Sequence, residues 1–408
     1  MISTFKSYLT EDINSHMTHI ENLVFDGGVD GTRKAIFFMR DIRDMLTQGT
    51  AKGKISTKFD GAPAVVTGIN PENGKFFIAK KGIFNKNPKL YYSHSDIMSD
   101  TTGDLAHKLM VAFDECAKLD IKKGIFQGDI MFTKDSLKTE SIDGVKYITF
   151  HPNTILYAIP HDSELGKYIM SSNIGIVWHT SYSGNTINSL SAKFTDNITK
   201  NFRKSLTSWM INAIVENVTS KAMFTEQERK EFDSMLSEIG KLFQSMNAQT
   251  LNSIHKNEEL RKIINTYDNI RIRSNKNEID VNSHVDGLYD YVFQKMTEEK
   301  TKRKTEKGKL GVDEKMRPIM EFLSFPKKDI VKIFDLVQKI TTAKEFLIKK
   351  LNKLSEIKTF LKTKNGFRVT NQEGFVAIND TNAVKLVSRL EFSFANFSPD
   401  ILKGWSSK

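Results

Sequence analysis

Apolar positions along the chain follow different rhythms in different stretches. Within residues 1–50, Ile36, Met39, Ile42 and Leu46 recur at helical spacing, which predicts one buried stripe on a helix closed by Gly49. From 51 to 195 the apolar runs are short and separated by turn signals such as Asn70-Pro71-Glu72-Asn73-Gly74, so this stretch reads as strands. The strand candidates are Ala64–Val66, Phe76–Ile78, Gly124–Phe132, Tyr147–Phe150, Ile155–Ile159 and Ile174–His179, with a helix over Asp104–Lys118. Strands and turns with few helices predict an α+β, antiparallel-rich domain.

Near residue 200 the spacing changes. Phe202, Leu206, Trp209, Ala213 and Ile214 fit a helical period. Thr225-Glu226-Gln227-Glu228 is a capping box, and Phe232, Met235, Leu236, Ile239, Leu242, Phe243 and Met246 follow it on one stripe. Lysine-rich helices are expected over much of 328–362, and strand character returns at Gly366–Ile378 and Ala383–Val387. These stripes read as core packing. The expected division is an N-terminal helical segment (1–50), an α/β domain built from 51–195 and 366–408, and an all-helical insertion (196–365) too long for a loop.

Composition narrows the function. The 408 residues suit two domains, and 39% hydrophobic with 27% charged residues indicates a soluble globular protein. A formal net charge of +11 suits a polyanionic partner, either nucleic acid or a membrane surface. The single cysteine, Cys116, excludes an internal disulfide framework, and scattered histidines without a Cys cluster argue against structural zinc. Met1–Thr10 lacks the apolar core of a signal peptide, and no run approaches the ~18 apolar residues of a membrane span. A cytoplasmic protein with no membrane partner is expected.

Four local patterns carry candidate chemistry. Ser56-Thr57-Lys58-Phe59-Asp60-Gly61 holds a lysine that is either a nucleophile or half of a salt-bridged turn. In Ile125-Phe126-Gln127-Gly128-Asp129-Ile130 a carboxylate interrupts an apolar strand, where it needs a partner such as a ribose hydroxyl or a lysine unless it sits at the strand edge. Glu373-Gly374-Phe375-Val376-Ala377-Ile378 opens a buried strand with a carboxylate able to bind a divalent ion or orient a lysine. Ala383-Val384-Lys385-Leu386-Val387 places a lysine in an apolar strand, facing either an anion or solvent.

In this order the four patterns resemble the covalent nucleotidyltransferase superfamily of ATP-dependent DNA ligases, RNA ligases and mRNA capping enzymes. The resemblance covers 51–195 and 366–390. It implies an antiparallel-rich nucleotidyltransferase (ATP-grasp-like ligase) domain. Lys58 would accept AMP from ATP, Asp60 would position that lysine and the ribose, and Lys385 would contact the α-phosphate. Thr57, Lys80 (with Lys81 beside it), Asp129 and Tyr157 would complete the nucleotide site, Tyr157 stacking on adenine with Phe150 as the second choice. Glu373 and Asp129 would hold Mg²⁺; Asp129 stands where the family usually has glutamate.

The implied activity is an ATP-dependent polynucleotide ligase, with DNA ends favoured over RNA ends, sealing a 5′-phosphate to a 3′-hydroxyl through lysyl-AMP. RNA ligase, capping-type guanylyltransferase and non-catalytic nucleic-acid binder are the alternatives. The expected cofactors are ATP and Mg²⁺, and the expected partner is a nicked or cohesive DNA duplex, or RNA, bound by a monomer. A compact ligase of viral type would work in the host cytoplasm. Only 23 residues follow Lys385, so no C-terminal OB domain is expected, and Val387 stands at the second basic position that the resemblance implies just after Lys385, with Arg389 next. Lys300, Lys302, Arg303 and Lys304 form either a solvated loop or a phosphate-backbone grip.

Overall fold

The computed structural model describes residues 17–48, 54–194, 197–215, 223–274, 280–354, 357–379 and 382–404. Gly49, expected to close the first helix, and Met1–Thr10 lie outside the described residues.

The chain opens with α1 (Leu23–Gln48), β1 (Lys54–Lys58), β2 (Ala64–Ile69), β3 (Phe76–Ala79), α2 (His94–Asp100) and α3 (Gly103–Ala117). Next come β4 (Ile125–Thr133), β5 (Lys138–Ile142), β6 (Val145–Phe150), β7 (Ile155–Pro160), α4 (Glu164–Ser171), β8 (Ile174–Ser183), β9 (Ser191–Lys193) and β10 (Ser208–Asn212). A helical block follows: α5 (Glu226–Gln244), α6 (Ala248–Lys256), α7 (Glu258–Arg273), α8 (Val281–Thr301), α9 (Glu306–Leu323) and α10 (Lys327–Leu351). The chain then returns to strands with β11 (Lys358–Thr363), β12 (Gly366–Val369), β13 (Gly374–Asn379) and β14 (Asn382–Leu386), and α11 (Arg389–Phe397) comes last.

The strands assemble into three sheets among the described residues. The central one runs β10-β8-β4-β2-β3, with β9 paired to β8. The second runs β12-β11-β7-β6-β5, and the third is β1-β13-β14. All pairings are antiparallel except β10 against β8. The expected mixed fold with antiparallel sheets and a helical region is what the chain adopts.

The helical region differs from expectation at its edges. Residues 202–214 fit a helical period, yet Ser208–Asn212 is a strand, and Trp209 buries its ring against Phe132 at 6.0 Å. A stretch with three apolar residues, Trp209–Ile211, cannot be assigned by period alone, and here sheet pairing decides it. Likewise Lys358–Thr363 is a strand, not the end of a helix. Lys362 reaches Glu140 at 2.8 Å and Lys358 donates to the Tyr147 hydroxyl at 2.8 Å, so both lysines are anchored across the second sheet. The strand character of Gly366–Ile378 resolves into two strands, the second opening just after Glu373. The helical block therefore spans 226–351 instead of 196–365.

Nor does α1 stand apart. Its Phe25, Ile36, Met39, Ile42 and Leu46 share one hydrophobic core with α5–α10 and with Ile55, Phe375, Ala377, Val384 and Leu386 of the third sheet. Because strand side chains alternate, one face of that sheet is committed to the helices and the other is left for a cavity. Inside the helical core Lys344 of α10 pairs with Glu21 at 2.7 Å, both side chains essentially sealed from solvent. At the start of α5 both halves of the capping box form: Glu228 N–H donates to Thr225 Oγ1 at 3.2 Å and Thr225 N–H donates to Glu228 Oε2 at 2.7 Å.

Candidate active site

The site is fixed by register. β1 pairs with β13 so that Lys58 lies opposite Gly374 and Ser56 opposite Val376, and β14 places Lys385 opposite Val376. Directly paired residues project to the same side of a sheet. Lys58, Ser56, Val376, Ile378 and Lys385 therefore share the face that the helices leave uncovered, and all five line a cavity of about 580 Å³. The opposing wall comes from the central sheet: Gln127 and Asp129 of β4 and Val177 and His179 of β8.

Two motif glycines permit this closeness. A Cβ on Gly61 would meet Asp129 Cβ at 2.6 Å and Met131 Sδ at 2.9 Å, so the turn after Lys58 lies directly on β4. A Cβ on Gly374 would meet Leu386 O at 2.5 Å and Val387 Cγ2 at 2.7 Å. Either substitution would push the strands that carry the site apart.

Lys58 Nζ pairs with Glu373 Oε1 at 2.5 Å. Burial pushes the Glu373 carboxyl above its usual range, aided by the nearby Asp60 and Asp129 charges, while Lys58 pulls it down. Lys385 is half-buried, and burial lowers its ammonium, with the Lys58 charge adding to the shift. Among the described residues no carboxylate lies within ion-pair distance of Lys385 Nζ. Thr57 is on the cavity wall, its N–H donating to Ala213 O at 2.8 Å. Asp129 is there too, 3.6 Å from His179 Nε2.

Glu373 stands behind Lys58 without lining this cavity, and three more residues implied by the resemblance sit elsewhere. Asp60 is not on the cavity wall. Its carboxylate accepts from Asn153 Nδ2 at 2.6 Å, Thr154 N–H at 2.7 Å and Ile155 N–H at 2.8 Å, so it pins the start of β7 beneath the Lys58 turn. Tyr157 is fully buried, stacks on Phe150 at 5.3 Å, and its hydroxyl accepts from Asp60 N–H at 2.7 Å. It supports the turn from below and cannot stack on a base in the cavity; Phe150 is buried with it. Lys80 is bound to Asp100 at 2.9 Å, which Lys89 and the Tyr91 hydroxyl also hold. Its neighbour Lys81 is the one on the cavity wall.

The aromatic surface comes from residues that were given no role by the motifs, Phe59 inside the Lys58 motif among them. Phe59, Phe84, Tyr182 and Phe194 line the cavity, Phe84 and Tyr182 with ring centroids 4.9 Å apart. The Tyr182 hydroxyl donates to Gln127 Oε1 at 2.6 Å and orients that amide. Strand alternation could have flagged Gln127, which sits two positions before Asp129 on the same face.

The basic run in the helical block is partly neutralised. Lys300 pairs with Asp313 at 2.5 Å, and Lys302 and Arg303 with Glu299 at 2.8 and 3.7 Å. These three and Lys304 are absent from the cavity at Lys58.

The profile of a family of unknown function, DUF6267, matches residues 14–400. The chain belongs to that family. No curated protein and no solved structure matches it. For a DUF6267 chain the site geometry is thus the main guide to chemistry. Among the described residues no group of three or more His, Cys, Asp or Glu is gathered that could hold a metal ion by itself. A magnesium ion brought with a nucleotide needs only one or two carboxylates, because phosphates and waters complete its octahedron. Asp129 on the cavity wall fits that smaller demand, and Glu373 behind Lys58 is the other carboxylate at the site. No helix among the described residues is long and apolar enough to cross a membrane.

Proposed function

We propose that this protein is an ATP-dependent polynucleotide ligase of the covalent nucleotidyltransferase type, acting on DNA ends in preference to RNA ends. The observation that carries the reading is Lys58 on the wall of a nucleotide-sized cavity, backed at 2.5 Å by Glu373 and with Lys385 on the same sheet face. The cavity offers aromatic rings for a base and cations for phosphates.

Lys58 must lose a proton before it can attack the α-phosphorus of ATP. Glu373 Oε1 is placed to take it, and its raised carboxyl makes it a stronger base than an exposed glutamate. The Lys58 nitrogen then bonds to the α-phosphorus, the bond to the bridging oxygen breaks, and pyrophosphate leaves. Lys385 and Lys81 lie where they can neutralise charge on the phosphates. Magnesium held by Glu373 or Asp129 would supply further charge neutralisation. AMP would next pass to a 5′-phosphate, and a 3′-hydroxyl would displace it to seal the strand.

The test is incubation with magnesium and α-labelled ATP or GTP, followed by denaturing electrophoresis. Label from ATP that vanishes in Lys58→Ala is expected. Label from GTP alone would assign a capping activity instead, and no label from either nucleotide would remove the enzymatic reading.

A further inference from the structure

Lys58 and Lys385 line a second cavity as well. It holds about 270 Å³ and lies between the third sheet, α7 and α11. Arg273 from α7 and Arg389 from α11 complete its cationic wall, and Asn269 accepts from Arg389 Nη2 at 2.9 Å. Glu373, already paired with Lys58, is the sole carboxylate among the lining residues. Arg273, Arg389 and Lys385 have no carboxylate within ion-pair distance among the described residues. His19 adds no charge at neutral pH, because burial lowers its imidazole to about 4. Cations gathered without counter-charges in a concave site create a potential that only an anion relieves, and two guanidinium forks match a phosphate's oxygens.

The rim is aromatic. Phe392 and Phe397 of α11 line the mouth, and with Phe394 they are 40%, 59% and 42% exposed. Arg273 already lies over the Phe397 ring at 4.6 Å. Exposed rings beside arginines form a surface on which bases stack.

We infer that this second cavity receives the 5′-phosphate of a polynucleotide end, with the terminal bases resting on the phenylalanines of α11. Assigning the phosphate to a strand end, and not to the tail of ATP, rests on the ligase reading above. Lys58 and Lys385 would then stand between nucleotide and acceptor, each reachable from both sides. The nucleic-acid contact moves from Lys300–Lys304 to the junction of the helical block with the third sheet.

The experiment measures anisotropy of the full chain binding a labelled nicked duplex without ATP, the nick carrying either a 5′-phosphate or a 5′-hydroxyl. The wild type should prefer the phosphate by about tenfold, the scale of one charge-assisted contact pair. Arg273→Ala/Arg389→Ala should abolish the preference while self-adenylylation stays within about twofold of wild type. Arg389→Lys, which keeps the charge and the fold but loses the fork, should show an intermediate preference. Equal wild-type affinity for both nicks would overturn the inference. So would a double variant that keeps the preference but loses adenylylation, since the cavity would then serve the phosphates of ATP. A phosphate preference in a wild type that takes no label from ATP would uphold this cavity and sink the ligase reading alone.

Discussion

Two lysine–glutamate pairs of similar length serve different ends in this molecule. Lys344 and Glu21 meet at 2.7 Å inside the helical core, with side chains 0% and 2% exposed. Lys58 and Glu373 meet at 2.5 Å with 29% and 11% exposed; Lys58 lines two cavities and Glu373 the smaller of them. Glu21 borders a separate cavity of about 420 Å³, but Lys344 does not and both side chains are sealed from solvent, so this pair serves to stabilise or specify the fold. In the second, Lys58 has space on two sides, Lys385 stands nearby with no ion pair among the described residues, and the carboxyl is pushed upward by burial. Burial of charge alone does not mark a reactive site; a partly exposed lysine that opens on a cavity beside a second cation does.

Substitutions sharpen that contrast. Glu373→Gln should slow self-adenylylation by about 10²–10⁴-fold, the usual loss for a proton acceptor, with thermal stability little changed. Because the raised carboxyl must be ionised to accept a proton, the wild-type rate should climb with pH across a limb above the normal glutamate range. The variant should lack that limb in a pH–rate profile. A variant with an unchanged profile would make Glu373 a positioning group.

Lys344→Ala should behave oppositely. Leaving Glu21 buried without its partner should cost ~3–5 kcal/mol of stability in a urea titration, while adenylylation per folded molecule is preserved. If activity fell and stability held, the assignment of the two pairs would be reversed.

A smaller effect should come from His19, which lies beside Lys385 on the second cavity. Its folded-state value of about 4 lies below the ordinary 6.5, so the unfolded chain binds the proton first as pH falls. The contribution of the neutral imidazole is thus complete above about 6.5 and lost between there and about 4. His19→Gln should flatten the drop in urea midpoint between about pH 7 and about pH 4.5. An equal drop in both proteins would place the pH sensitivity elsewhere.

Much of this contrast was legible in the chain, and its gaps have physical causes. The strands carrying Asp129 and Lys385 and the one that Glu373 opens could be read because each is a short apolar run with an out-of-place charge, whereas Lys54–Lys58, with Ile55 its one apolar residue, gave no strand signal. The capping box at Thr225 announced α5 because both partners are local. Trp209 and Phe360 were missed as strand residues because short strands among lysines and serines fit a helical period equally well until pairing is known. Tyr157 was misjudged because an aromatic in a buried strand has the same local pattern whether it faces a cavity or the layer beneath. Lys80 and Lys81 differ by one position, and only the side-chain partners tell which faces the site. Arg273 and Arg389 carry no local signal at all; the packing of α11 on α7 brings them together.

The central claim is that Lys58 becomes covalently attached to AMP. Intact-protein mass spectrometry after incubation with ATP and magnesium, followed by peptide mapping, addresses it directly. A single AMP adduct on the peptide containing Lys58, released by added pyrophosphate, is the predicted result. No adduct, or one carried by another residue, would contradict it.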